Sequence, residues 1–323
     1  MFMKSPTIVF MGTAGFAVST LEALVHEGFH VAAVVTAPDK PSGRGQKIRF
    51  SPVKEAALKF EIPLLQPVNL KDPDFQFQLQ KVQPDLQVVV AFRMLPESVW
   101  ALPKLGTINL HASLLPQYRG AAPINHAVIN GEKETGVTTF IIDKEIDTGK
   151  ILFKEKITIN DNESAGELHD RLMMLGAKLA VKTVNAIISG VVEPIPQTEL
   201  MSMGESMKKA PKIFKEDCKV NWNKPTIDVY NFIRGMSPSP CAFSLIRLKN
   251  NELLNLKIFQ TQRMENQSAK TPGSISTDNK KQLGIFTSDG IIYLTEVQLQ
   301  GKKRMKIDEF LRGFDATEIK QFE

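Results

Sequence analysis

Short runs of consecutive apolar residues recur through the first two hundred positions, and each is followed by apolar residues at helical spacing. Residues 7–11, 31–36 and 86–92 are the clearest runs, and 16–27 is the first helical stretch between them. Continuous apolar runs alternating with amphipathic helices predict buried parallel strands in an α/β sheet with helices on both faces, a Rossmann-like arrangement. Further strands are expected at 107–110, 137–142 and 151–157. The strongest helix is 165–189, where Leu168, Leu172, Leu175 and Leu179 form one stripe, Ser164 and Glu167 form a capping box, and Gly190 ends it. The texture then changes. Residues 191–226 are rich in Pro, Met, Lys and Ser without sustained periodicity, as in a linker. After a short helix at 227–234, β-like runs recur at 243–248, 254–259, 273–275, 283–286 and 291–297. Short strands separated by turn residues predict a small C-terminal β-barrel, OB-like, a fold that often binds nucleic acid. The expected division is therefore 1–190, a linker at 191–226, and 227–323.

Composition narrows the class. No apolar run approaches the ~18 residues needed to cross a bilayer, and the apolar start runs into Gly12 and Gly15, which suits a strand and turn; a cytoplasmic monomer is expected, with no membrane partner. Two cysteines, Cys218 and Cys241, supply neither a disulfide framework nor a zinc cluster, and no metal is expected. Charge is unevenly placed. Residues 1–207 carry 20 Lys and Arg against 22 Asp and Glu, whereas residues 208–323 carry 20 against 13. A basic C-terminal third points to a polyanion such as RNA or DNA, with a solubilising surface as the plainer alternative.

The candidate chemistry is concentrated in NLHASLLPQYRGAAPI, residues 109–124. Asn109 can donate to a developing oxyanion, and His111, two residues on and on the same face of an extended chain, can move protons near neutral pH. That combination suits acyl transfer. Asp147, in IDTGKI, is a carboxylate of the kind that orients a histidine. Taken singly, Asn109 is more often a strand-end hydrogen-bonder, His111 a half-buried structural residue and Asp147 a turn-former. MGTAGFA at 11–17 lacks the third glycine of a dinucleotide fingerprint and reads best as a structural turn. PDKPSGRGQKIR at 38–49 is a long cationic connection whose Gly43 and Gly45 would let Arg44 approach phosphates.

From residue 105 to 151 the chain resembles the 10-formyltetrahydrofolate-dependent formyltransferases. LGTINLHASLLPQYRGAAPINHAVINGEKETGVT and DKEIDTGKI carry the likeness, and RGAAPI is similar to the branch whose acceptor is initiator methionyl-tRNA. FMGTAGFA, PDKPSGRG, SPVK at 51–54, KIFKEDCKVNW at 212–222, RGMSPSPCA at 234–242, PGSI at 272–275 and DGIIYLTEVQLQGKKRM at 289–305 extend it over essentially the whole chain. The resemblance implies 10-formyltetrahydrofolate as donor, initiator methionyl-tRNA as acceptor, and Asn109, His111 and Asp147 as the catalytic set. Asp147 would stabilise the imidazolium form of His111 or order a proton-relaying water. Folate contacts are implied at Ser113, Leu114, Leu115 and Pro116. For tRNA, Arg44 and Lys47 are expected at the reaction end, with Lys212, Lys303 and Arg304 among the basic residues further on. One departure falls at AFRMLP, where Arg93 follows Phe92 and the segment is one residue shorter than the family's pattern, which affects one wall of the implied folate pocket. Alternatives are a formyltransferase for a small amine, glycinamide ribonucleotide or an amino sugar, and a noncatalytic RNA-binding protein. The basic C-terminal third favours tRNA over the small amines.

Overall fold

The computed structural model describes residues 6–42, 47–201, 206–265 and 270–323. It divides into two compact units, the first made of Met1–Gly120, Thr135–Ile157 and His169–Lys209, the second of Ala121–Glu134, Thr158–Leu168 and Ala210–Glu323. The first unit is built on strands β1 (Ile8–Gly12), β2 (Val31–Val35), β3 (Lys40–Ser42), β4 (Lys47–Arg49), β5 (Leu64–Leu65), β6 (Leu86–Val90), β7 (Thr107–His111), β8 (Glu134–Ile141) and β9 (Ile151–Thr158). Seven of them form one sheet in the order β5-β2-β1-β6-β7-β8-β9. β1 pairs in parallel with both β2 and β6, and β6 with β7, whereas β8 runs antiparallel to β7. Strand order thus reverses at β1, as in doubly wound sheets, and the carboxyl ends of β1, β6 and β7 open on one edge.

Every residue of β1 and β6 is buried, as apolar strands covered on both faces require. Val9, Met11, Ala33, Val35 and Val89 form one core with Phe75 and Leu79 of the Pro73–Val82 helix. Alternation turns Ile8 and Phe10 to the opposite face. Local signals explain the helix starts. Asp72 caps Pro73–Val82 through the Asp74 and Phe75 N–H groups, and Ser51 caps Pro52–Lys59 through the Lys54 N–H, each with proline at the first helical position. Ser164 and Glu167 form the expected capping box before the Ala165–Ile188 helix, and Gly190 follows it at φ +66°. Gly12 is a packing residue: a Cβ there would lie 2.7 Å from Ala17 Cβ, so the strand-to-helix turn depends on its absence.

The second unit holds β10 (Ala242–Leu248), β11 (Leu253–Glu265), β12 (Ile275–Thr277), β13 (Leu283–Phe286), β14 (Gly290–Leu299), β15 (Met305–Lys306) and β16 (Ile319–Phe322). Six form an antiparallel sheet in the order β12-β13-β14-β11-β10-β16, and β15 pairs with β14. The Phe322 N–H donates to the Gly273 carbonyl at 2.8 Å, which brings the two ends of the sheet together into a nearly closed barrel. Leu256, Ile258, Ile285, Ile292, Leu294 and Val297 fill it.

Three features depart from the sequence pattern. The cationic 38–49 connection contains a short ladder, with Ser42 opposite Lys47. The described residues of 191–226 hold little regular structure yet are packed in places: Ala210, Cys218, Val220 and Trp222 are buried, and the indole N–H donates to Ser244 Oγ at 2.9 Å. β16, which closes the barrel, is too short and too polar at Lys320 and Gln321 to register as an apolar run. Gly273 sits at φ +84°, and a Cβ there would lie 2.4 Å from the Phe322 carbonyl oxygen. Gly273→Ala is expected to cost about 1–3 kcal/mol of stability, read as a lower thermal midpoint, and an unchanged midpoint would show that this closure contributes little.

Candidate active site

β7 carries two of the candidate side chains. Asn109 lies opposite Val89 of β6 and Phe140 of β8, and His111 opposite Thr138. Both residues therefore project from one face of the strand. Asn109 is half-buried, and among the described residues its carboxamide has no hydrogen-bond partner. An amide in that state has two N–H donors to offer a ligand.

His111 is buried, with its Nε2 2.9 Å from the Tyr118 carbonyl oxygen. A carbonyl only accepts, so Nε2 carries the hydrogen and the neutral ring keeps its lone pair on Nδ1. Nδ1 faces Asp147 Oδ2 at 3.9 Å. That separation is too long for a direct hydrogen bond, but it suits an ion pair with the protonated ring or a bridging water.

The carboxylate is held from the other side as well. Asp147 Oδ2 accepts from the Gly120 N–H at 2.9 Å, and the residue itself has φ +55°. Tyr118, which supplies the carbonyl for His111, has φ +62° and donates its N–H to the Lys208 carbonyl at 2.7 Å. Two non-glycine residues in the left-handed region flank the same imidazole, a cost of the kind that collects at functional sites. Gly149 makes the Asp147 turn possible: a Cβ there would sit 1.7 Å from the Ile141 carbonyl oxygen.

The remaining expected residues fall into distinct environments. Ser113 is fully buried, its hydroxyl donating to the Gln117 carbonyl and its carbonyl accepting from Thr138 Oγ1. Leu115 belongs to a core with Phe140 and Ile151, and Pro116 is buried beside it. Leu114 alone in 113–116 keeps a half-exposed side chain. Arg93 is engaged structurally, its guanidinium donating to the Pro67 and Val68 carbonyls and lying over the Phe92 ring. Arg44 lies outside the described residues, and Lys47 is placed by its pairing with Ser42. Lys212 is exposed and lies over Phe214, Lys303 is exposed, and Arg304 pairs with Glu296 while lying over Phe259. Two participants escape a reading of the sequence. Tyr118 contributes through its backbone, and Gln197, buried in the irregular 191–226 stretch, touches the Asp147 turn through its side chain. A glutamine in PQTEL gives no local signal of this.

Residues 6–184 match the formyl transferase family and residues 212–315 match the formyl transferase C-terminal domain, so the chain belongs to the formyl transferase family. The site on β7 thus sits in a formyltransferase fold. Within that family the chain is 53% identical over 311 residues, 96% of each chain, to a methionyl-tRNA formyltransferase of Bacteroides fragilis. It is 56% identical over 308 residues, 95% of each chain, to one of Azobacteroides pseudotrichonymphae. Among solved structures it resembles HypX from Aquifex aeolicus in complex with tetrahydrofolic acid, with a TM-score of 0.64 at 18% identity over 96% of this chain and 48% of that one. An N-formyltransferase of Helicobacter canadensis in complex with folinic acid and dTDP-3-aminofucose gives 0.60 at 22% identity, over 90% and 99% of the two chains.

Neither cysteine is prepared to be a nucleophile. Burial pushes the Cys241 thiol up to about 11 and raises that of Cys218, so both are neutral thiols at pH 8. Iodoacetamide at pH 8 is expected to label them slowly in the folded protein and rapidly after denaturation. Fast native labelling, followed by mass spectrometry, would contradict that assignment.

Proposed function

We infer that this chain transfers the formyl group of 10-formyltetrahydrofolate to the α-amino group of methionyl initiator tRNA. The observation that carries the reading is the unpartnered Asn109 carboxamide beside a buried His111 that faces Asp147, in a chain sharing about half its residues with methionyl-tRNA formyltransferases over nearly full length. A cytoplasmic reaction is proposed with it, in keeping with the bacterial relatives.

The donor brings a one-carbon acyl group on nitrogen, and the residues must manage one negative charge and one proton. A free α-amine titrates near 7.7–8.0 and its ester lower, so a substantial neutral fraction attacks the formyl carbon without a strong base. Charge then develops on the formyl oxygen. Asn109 is assigned to that oxygen, with both N–H groups available and no reorganisation needed to free them. Once nitrogen has attacked, it carries a proton that must leave, while the departing folate nitrogen must gain one. His111 is assigned to this transfer through Nδ1, the ring atom that faces the site side of the pair. Asp147 stabilises the imidazolium while it exists, and its fixed bond to the Gly120 N–H keeps it from swinging away. No covalent enzyme intermediate is required.

Folate contact from the 113–116 turn is proposed through Leu114 and the backbone, because Ser113 and Leu115 turn inward. For the acceptor, the division proposed is a catalytic part in 1–190, a connection at 191–226, and a tRNA-binding part in 227–323. The excess of basic residues after position 207 supports phosphate contacts, which position a nucleic acid without reading its sequence. Lys212 and Lys303 are better candidates than Arg304, whose guanidinium already pairs with Glu296. Arg44 and Lys47 are proposed at the acceptor end.

Asn109→Ala is expected to lower kcat by about 10²- to 10³-fold. His111→Ala should abolish measurable transfer while methionyl-tRNA binding stays near wild type. Wild-type-like turnover in either variant would sink the assigned mechanism. The substrate reading is checked by supplying 10-formyltetrahydrofolate with methionyl-tRNA beside small amines. Formylation of the tRNA is expected, and formylation of the small amines alone would contradict it.

A further inference from the structure

We propose that Gln197 is a positioning residue for the transfer, its buried carboxamide holding Asp147 in register with His111, given the roles assigned to those two residues above. Gln197 opens the Gln197–Leu200 turn and is 3% exposed. The segment reaches the sheet because Ile195 and Ile151 exchange backbone hydrogen bonds at 2.8 and 2.9 Å, extending the sheet beyond β9.

All four hydrogen-bonding positions of the carboxamide are used. Nε2 donates to the Asp147 carbonyl at 2.9 Å and the Gly149 carbonyl at 2.8 Å. Oε1 accepts from Arg119 Nε at 3.0 Å and Nη2 at 2.7 Å. The orientation of the amide is fixed by chemistry: reversed, it would set its N–H groups against a guanidinium and its oxygen against two carbonyls. Each end of the group therefore grips a different loop.

Those loops are the two sides of the His111–Asp147 pair. Arg119 stands between Tyr118, whose carbonyl accepts from His111 Nε2, and Gly120, whose N–H donates to Asp147 Oδ2. On the far side, Asp147 is held in the left-handed region with its carbonyl fixed by Gln197. A backbone conformation that costs energy persists where the surroundings over-determine it, and here one side chain supplies much of that restraint. Without it the 3.9 Å separation between Nδ1 and Oδ2 rests on the Gly120 contact at Asp147 and the Tyr118 contact at His111.

The test is formyl transfer to methionyl-tRNA by the full chain carrying Gln197→Glu. Glutamate keeps the shape and the acceptors for Arg119 but has no N–H for the two carbonyls. The expected result is a fall in kcat of about 10²-fold, with KM for donor and acceptor changed less than about threefold. Arg119→Lys keeps a charge but loses the fork, and it serves as a second variant expected to fall on the order of tenfold. In an Asp147→Ala background, Gln197→Glu should add no further loss, because the residue acts through Asp147. Wild-type kcat in both Gln197→Glu and Arg119→Lys, a loss confined to KM, or an undiminished loss in the Asp147→Ala background would each overturn the proposal. Full turnover by Asp147→Ala alone is a different failure: it removes the catalytic assignment itself, whatever Gln197 does.

Discussion

One hydrogen bond makes a single site from two separate loops: the Gly120 N–H donates to Asp147, on the turn between β8 and β9, while the neighbouring Tyr118 carbonyl receives His111 from the end of β7. The imidazole and the carboxylate are thus fixed by adjacent backbone groups of one short segment. Their separation follows from that segment's shape, with φ +62° at Tyr118, and from the Asp147 turn, which requires a glycine at 149. If the pair moves protons as proposed, holding it by backbone in this way leaves little freedom to lose when substrate arrives.

The sheet explains why the chemistry sits where it does. β7 is the last parallel strand, flanked by β6 and by the antiparallel β8, so its end carries side chains onto an edge shared with β1 and β6. Asn109 is paired through its strand with Val89 and Phe140, and among the described residues its half-exposed carboxamide is left unclaimed. In the turn that follows, by contrast, the Ser113 hydroxyl is engaged with the Gln117 carbonyl. Ser113 and Thr138 bond to each other's surroundings and Leu115 is buried in the core, which makes 113–116 a rigid shelf.

Much of this was legible in the sequence. Apolar runs marked β1, β2, β6 and β7, and the Ser164, Glu167 and Gly190 signals marked the long helix. The period-2 rule joined Asn109 to His111, and IDTGKI offered Asp147 as a carboxylate to orient the histidine, a role the family resemblance also implies. Illegible parts share a physical cause, since they depend on contacts between residues distant in the chain. Gln197 meets Asp147 and Arg119 at separations of 50 and 78 residues, and β16 becomes a strand only because Gly273 and β10 are there to pair with it. Irregular composition at 191–226 read as a linker and gave no sign that Gln197 and Trp222 would be buried. Charge was legible as a sum but not as a surface, because pairing such as that of Arg304 with Glu296 is invisible to counting.

The most direct measurement is the single-turnover rate of formyl transfer to methionyl-tRNA by Asp147→Asn, with methionyl-tRNA binding measured in parallel. Asparagine keeps the size and an acceptor for the Gly120 N–H while removing the charge that faces His111. A rate about 10²-fold below wild type with binding unchanged is expected if that charge stabilises the imidazolium in the transition state. An unchanged rate would contradict the role given to the pair.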